Sequence, residues 1–186
     1  MTLTDLAARV AGYVIHPDFR DEACGLRCCE LALAALRTGD YGVGAVLLDA
    51  AGNTLIEAQN QVFSGGYCSS GHAEMRLIDR FESELAGQLN PDDLKLVVSL
   101  EPCPMCLSRI LLAGFGVVKY MAEDPAGGMV SRLDDMPPAW QNLASLQSFY
   151  HAHISDALRQ LAQDLAQYGV AELRKNLLAQ RQISSS

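Results

Sequence analysis

Residues 94–122 read LKLVVSLEPCPMCLSRILLAGFGVVKYMA, and the order of patterns within them decides the fold. Leu94–Leu100 is a compact apolar run with strand composition, Leu107–Ala113 is a helical run stopped by Gly114, and Val117–Ala122 is a second short apolar strand. A strand–helix–strand succession pairs its strands in parallel through a crossover, which puts the helix on a face of the sheet. Strands this short and this apolar suit buried sheet positions.

Working outward, Val43–Asp49 and Thr54–Gln59 are short apolar runs joined by Ala-Ala-Gly-Asn, the composition of a hairpin turn. A helix is predicted from about Asp21 to Thr38, ended by Gly39-Asp40, and an amphipathic helix before it carries Leu3, Leu6 and Val10 at helical spacing. The stretch Ser64–Gly71 is too rich in Gly and Ser for regular structure. His72 opens a further helix whose apolar face is Leu77, Ile78, Phe81 and Leu85. Asp124–Gly128 is a loop, and Phe149–Ile154 is the best candidate for a fifth strand. From Ser155 to about Arg181 the pattern is helical, interrupted near Gly169, with Leu158, Leu161, Leu165, Leu173 and Leu177 as core contacts, and Ser184–Ser186 is expected to be a disordered tail. The expectation is an α/β fold: three α/β/α layers around a mixed sheet of four or five strands. Residues 21–154 form the central domain, with a helical extension at 1–20 and another at 155–186 packed on it. No internal repeat or second domain is visible.

The chain has 186 residues, 49% hydrophobic and 19% charged, with a formal net charge of −8. That is an ordinary globular composition. No apolar run approaches the roughly 18–20 residues that cross a bilayer, and the N-terminus lacks the pattern of a signal peptide, so a cytoplasmic location and no membrane partner are expected. An acidic surface repels phosphate backbones, and the loose cluster Arg174, Lys175 and Arg181 is a small counterweight, so a nucleic-acid partner is not expected. The six cysteines do not suggest a disulfide framework in such a protein. Cys24 and Cys28 continue into the helical stripe Leu31, Ala32, Ala35 and Leu36 and read as small buried side chains.

Cys103 and Cys106 allow three chemistries: a redox pair, half of a structural zinc site, or part of a catalytic one. A structural zinc site needs four protein ligands, but no second C-x-x-C exists, and His151 and His153 are poorly spaced to share one metal from a helix. His72-Ala73-Glu74 changes the balance. It opens its helix after a flexible loop, as the cysteines open theirs after a strand, so two helix N-termini point at one location and favour thiolates there. One histidine and two thiolates leave zinc a fourth position for water, the mark of a catalytic site.

The pair of motifs His72-Ala-Glu74 and Pro102-Cys103-Pro-Met-Cys106 resembles the zinc-dependent cytidine and deoxycytidylate deaminase superfamily over about residues 21–130. The EPCPMC form is similar to the guanine deaminase and tRNA adenosine deaminase branch. The resemblance implies a cytidine deaminase-like fold, one Zn2+ per chain held by His72, Cys103 and Cys106, and Glu74 as the catalytic proton shuttle. It also implies substrate contacts from Asn60, the backbone amide of Ala73, the carbonyl of Leu100 and Asp124, and assembly as a homodimer. The implied reaction is hydrolytic deamination of an amino-substituted nucleobase, nucleoside or nucleotide, of cytosine or guanine type. A tRNA adenosine deaminase and an inactive zinc-binding interaction protein are the alternatives. The chain departs from the family in Gly71, where many relatives have alanine, and in a loop one residue longer between Asn60 and His72. Cys68 and Trp140 lie where they could line or cap a pocket, although packing is the simpler role for Trp140.

Overall fold

The crossover in residues 94–122 forms the middle of the sheet. A computed structural model describes residues 1–180 and contains five strands: β1 (Gly44–Leu48), β2 (Thr54–Gln59), β3 (Lys95–Leu100), β4 (Val117–Ala122) and β5 (Ser148–His151). They lie in the order β2-β1-β3-β4-β5, with β1 antiparallel to β2 and β3, and with β3, β4 and β5 mutually parallel. Seven α-helices accompany them among the described residues: α1 (Leu3–Ala11), α2 (Glu22–Arg37), α3 (Ala73–Glu84), α4 (Pro104–Ala113), α5 (Pro138–Ala144), α6 (Asp156–Gln167) and α7 (Val170–Gln180). This is the expected three-layer α/β/α arrangement around a mixed sheet.

Alternation along the strands builds the two cores. Ala45 and Leu47, with Leu96 and Val98, face α3 and α4, where Leu77, Ile78, Phe81, Leu107 and Ile110, with Phe115 just beyond α4, close the first core. Val46 and Val97 point the other way, into a core completed by α1, α2 and α6. Leu158, Leu161 and Leu165 of α6 are fully or almost fully buried, and burying each side chain contributes about 1.5–3 kcal/mol. The cysteine stripe is part of this second core: Cys28 and Cys29 are buried and Cys24 is half-buried. Gly44 is required by the packing, because a Cβ there would lie 2.3 Å from the carbonyl oxygen of Cys28.

Several boundaries differ from the sequence expectation. α4 begins at Pro104 and not at Leu107, because proline suits the first helical turn and Cys103 is the N-cap. The fifth strand exists, but it covers Ser148–His151 and not Phe149–Ile154. Ala152 and Ile154 are buried beyond its end, which explains the apolar signal that drew the boundary too late. The 3₁₀ turn at Val130–Asp135 and helix α5 were not foreseen; Trp140 on α5 packs against the first core. The C-terminal helical pattern is interrupted at Gly169, whose φ of 69° is the left-handed conformation glycine favours. Arg181 and the tail Ser184–Ser186 lie outside the described residues. No described helix is long and apolar enough to cross a membrane.

Glu22 ties the N-terminal segment to the C-terminal helices. Its buried carboxylate accepts hydrogen bonds from the Tyr13 hydroxyl and from the Ser155 amide and hydroxyl, at 2.9 and 2.8 Å for the latter two. Ser155 is also the N-cap of α6. Burial pushes the Glu22 carboxyl up, but these hydrogen bonds outweigh it and hold the group below the ordinary glutamate value. A lowered folded pKa stabilises the protein above the unfolded value, and that contribution is lost as the pH falls through the folded one. Glu22→Gln is therefore expected to lower stability near neutral pH by about 1–3 kcal/mol, with the gap to wild type closing on acidification. Urea denaturation across the acid range measures this, and a gap that widens at low pH would contradict it.

Candidate metal and substrate site

The site forms where the C-terminal end of β3 meets the start of α3. His72 is the N-cap of α3 with extended backbone (φ −69°, ψ 151°), and Cys103 is the N-cap of α4 with φ −70° and ψ 169°. Cys106 sits one turn into α4 and is fully buried. N-cap residues point their side chains back over the unpaired N–H groups of the first turn, so both helix N-termini face the same point. His72 Nδ1 lies 3.7 Å from Cys103 Sγ and 3.5 Å from Cys106 Sγ. Tetrahedral zinc, with Zn–S near 2.3 Å and Zn–N near 2.0–2.1 Å, separates its nitrogen and sulfur donors by roughly 3.6 Å. The three ligand atoms all fall within 4.8 Å of one another, so the trio fits one metal ion.

Two further observations support that fit. Hydrogen bonding with Cys106 pulls the Cys103 thiol down to about 4 against the effect of burial, with His72 adding to the pull. Its partner Cys106 is pushed up, first by the same hydrogen bond and then by burial. A divalent cation held beside them would favour both sulfurs as thiolates. Burial opposes the charged His72 ring, but the Cys103 sulfur and the Glu74 carboxylate outweigh it and raise the histidine. Glu74, in the first turn of α3, is buried, and its Oε2 finds no hydrogen-bond partner among the described residues. A buried, unpartnered carboxylate oxygen is costly, and burial pushes this carboxyl up. The oxygen belongs beside a water or substrate group in the site.

A cavity of about 730 Å³ opens from this corner, and Asn60, Leu100 and Asp124 line it together with His72, Glu74 and Cys103. Asn60 is buried at the end of β2. Its Oδ1 accepts from the Val62 amide at 3.2 Å, and no described residue accepts from its Nδ2, which is left to donate into the cavity. Asp124 accepts from the Ala126 and Gly127 amides through Oδ1. The Ala73 methyl packs in the first core, away from the cavity, but its amide, next to His72, has no acceptor among the described residues and is free for a ligand at this corner. Cys68 is exposed and does not line the cavity, unlike its neighbours Tyr67 and Ser69.

The loop between Asn60 and His72 is held tightly for so glycine-rich a stretch. Buried Asp40 accepts from the Phe63 amide at 2.6 Å, and the Gln61 amide donates to the Gly71 carbonyl at 2.7 Å. A Cβ on Gly71 would lie 2.4 Å from the Gln61 carbonyl oxygen, so the departure from alanine follows from this close approach.

Two contributions escaped the sequence reading. Glu101, the first letter of EPCPMC, is buried and accepts from the Asp124 amide at 3.1 Å and the Ser131 amide at 2.7 Å, fastening the loop after β4 to the turn between β3 and α4. An acidic residue between an apolar strand and a proline was a signal for such a role. The second is the far wall, which α6 and α7 supply through Gln163, Ala166, Gln167, Val170 and Leu177. The helical pattern announced a buried leucine face there, but gave no sign of what the neighbouring face covers.

Sheet, crossover and donor set together define the class of zinc-dependent hydrolytic deaminases. Within it, the chain belongs to the cytidine and deoxycytidylate deaminase zinc-binding family, whose model matches residues 20–122. Over 164 residues it is 30% identical to the tRNA-specific adenosine deaminase of Bacillus subtilis, covering 87% of this chain and 96% of that one. A 106-residue stretch is 35% identical to part of the tRNA(Ile)-lysidine synthase of Deinococcus radiodurans, covering 57% of this chain and 18% of that longer protein. Among solved structures, the guanine deaminase of Nitrosomonas europaea shares the fold with a TM-score of 0.61 at 19% identity, covering 86% of this chain and 91% of its own.

Metal analysis of natively purified protein is expected to give one zinc per chain, and Cys106→Ser is expected to lose most of it. Full occupancy in that variant would place the metal elsewhere.

Proposed function

We propose that this protein hydrolytically deaminates a neutral, amino-substituted nucleobase or nucleoside, with His72, Cys103 and Cys106 as the ligands of one zinc ion and Glu74 as the catalytic acid and base. The single observation that carries the assignment is the unpartnered Glu74 Oε2, buried beside the three ligand atoms at the wall of a cavity. Zinc held there would polarise a water molecule and bring its pKa toward about 7. Glu74 accepts one proton from that water at Oε2 and delivers it to a ring nitrogen, then takes the second, from the hydroxyl now on the ring carbon, and passes it to the departing amine. Water is consumed, a ring carbonyl replaces the amino group, and ammonia leaves. Asn60 donates from Nδ2 to an acceptor on the ring, and the Ala73 amide and Leu100 carbonyl face its edge. Asp124 accepts from a donor farther out.

The neutral substrate is inferred from the cavity wall. Among the described residues no lysine or arginine lines it, whereas Glu74, Glu101 and Asp124 do, so a phosphate would meet carboxylates there and no described counter-charge. A second reading, deamination of adenosine in tRNA, is favoured by the 30% identity to the Bacillus subtilis tRNA-specific adenosine deaminase over nearly its whole length. The net charge of −8 and the enclosing α6 and α7 weigh against it.

The same proposal takes residues 21–154 as the deaminase domain and 1–20 and 155–186 as extensions packed on it. It also includes a homodimer and a cytoplasmic location, the latter supported by six cysteines without a disulfide.

An ammonia-release screen over cytosine, cytidine, dCMP, guanine and adenine tests the small-molecule assignment, and turnover of a neutral member is the expected result. Inosine formation in tRNA, with no ammonia from any small molecule, would replace it with the second reading. Glu74→Gln is expected to keep its zinc and to lose at least about a thousandfold in kcat. Undiminished turnover at full zinc content would remove Glu74 from the chemistry.

A further inference from the structure

The cavity is larger than a free base requires, and its two ends differ in chemistry. At about 730 Å³ it falls in the range of roughly 300–1,000 Å³ that takes a drug-sized ligand, whereas a free base has only about ten non-hydrogen atoms. The inner end is polar, with Asn60, His72, Glu74, Cys103 and Asp124. Farther out, Tyr41 and Tyr67 line the cavity from one part of the chain, and Ala166, Val170 and Leu177 line it from α6 and α7. The polar side chains beside them, Ser69 and Gln167, are exposed.

The outer surface is a built apolar one. The rings of Tyr41 and Phe63 lie 5.8 Å apart between centroids, and those of Phe63 and Tyr67 lie 6.4 Å apart, so the two tyrosines belong to one aromatic cluster. Asp40 holds that cluster in place through its hydrogen bond from the Phe63 amide. Burial pushes the Tyr41 hydroxyl up, the mark of a place that water leaves. Tyr67 and Val170 are among the large apolar side chains left exposed, at 43% and 38%, and both face this cavity. Exposed apolar surface gathered at the mouth of a site marks where a ligand covers it. The carbon that loses its amino group has to lie beside Glu74 and the three ligand atoms. The opposite side of the ring, N1 of a cytosine or N9 of a purine, is then directed at the apolar end.

Resting on the deaminase reading above, we propose that the outer part of the cavity is an apolar subsite for an aryl or alkyl group carried on the side of the ring opposite the amino group. The substrate class is an aminated base with an apolar N-substituent, preferred over the free base and over the nucleoside. A ribose in that place would set its hydroxyls against Val170, Leu177 and the aromatic rings, and would lose hydration without full compensation.

The test measures binding by equilibrium dialysis to the zinc-loaded Glu74→Gln protein, with ammonia release by the zinc-loaded wild type alongside. The probes are cytosine, 1-benzylcytosine and cytidine, and guanine, 9-benzylguanine and guanosine. For the base that binds better, the benzyl form is expected to bind about ten- to a hundredfold tighter than the free base, and the nucleoside no tighter than the free base. In the same background, Leu177→Ala should cut the ratio of benzyl to free-base affinity at least about threefold. Leu178→Ala, on the same helix but outside the cavity, should keep the ratio. If Leu177→Ala unfolds, Tyr67→Ala, at the exposed mouth, must lower the ratio instead. Ammonia release from a base or nucleoside without any benzyl advantage in binding would overturn the subsite and leave the deaminase reading intact, as would a nucleoside that binds tighter than the benzyl form. A benzyl advantage lost equally in Leu178→Ala would also overturn it. A benzyl advantage with no ammonia from any probe would support the subsite and remove the small-molecule deaminase reading.

Discussion

The meeting of two helix N-termini beyond the end of β3 is the constraint on which the rest of the structure depends. α3 and α4 each end in a cluster of unpaired N–H groups, and each places an ionisable side chain at its cap. Facing one another, they create a small region where thiolates are favoured and a positive ion is needed to balance them. The sheet makes that meeting possible: β3 runs straight into Cys103, and the antiparallel hairpin of β1 and β2 returns the chain through Asn60 to His72. Pro102 and Pro104 flank Cys103 and fix the change from strand to helix, so both sulfurs arrive on the same side as the histidine ring.

Around that corner, most polar atoms are committed to holding loops. Asp40 fastens the loop that leads to His72, and Glu101 fastens the loop that carries Asp124. The buried side-chain groups left uncommitted there, among the described residues, are Glu74 Oε2 and Asn60 Nδ2. In a buried site an unpaired polar atom costs free energy, so those that remain unpaired mark where a ligand is to be bound.

Much of this was legible in the sequence because each half of the site is local, although the contacts of His72 with Cys103 and Cys106 span 31 and 34 residues. Cys103 and Cys106 are one helical turn apart, and His72 and Glu74 both sit at a helix start, so motif and geometry coincide. The alternating apolar strands revealed the sheet for the same reason. β5 was harder: Ser148-Phe-Tyr-His is a four-residue edge strand, half-buried at best, and its apolar signal continues past its end into Ala152 and Ile154. α5 is only seven residues long, and its N-cap and first position are Pro137 and Pro138, residues as common in a loop as at a helix start. The far wall of the cavity was invisible for a different reason. Periodicity reports which face of α6 is buried against the sheet, but the approach of Gln163 to a cavity formed by residues a hundred positions earlier is a tertiary fact that no local pattern encodes.

The central claim is that one histidine and two cysteines hold a zinc ion with one position left for chemistry. X-ray absorption spectroscopy at the zinc edge of the purified protein tests it most directly. The expected first shell contains two sulfurs near 2.3 Å and two lighter atoms near about 2.0–2.1 Å, one from His72 and one exchangeable. A shell of four sulfurs, or one in which no light ligand exchanges with added small anions, would contradict it.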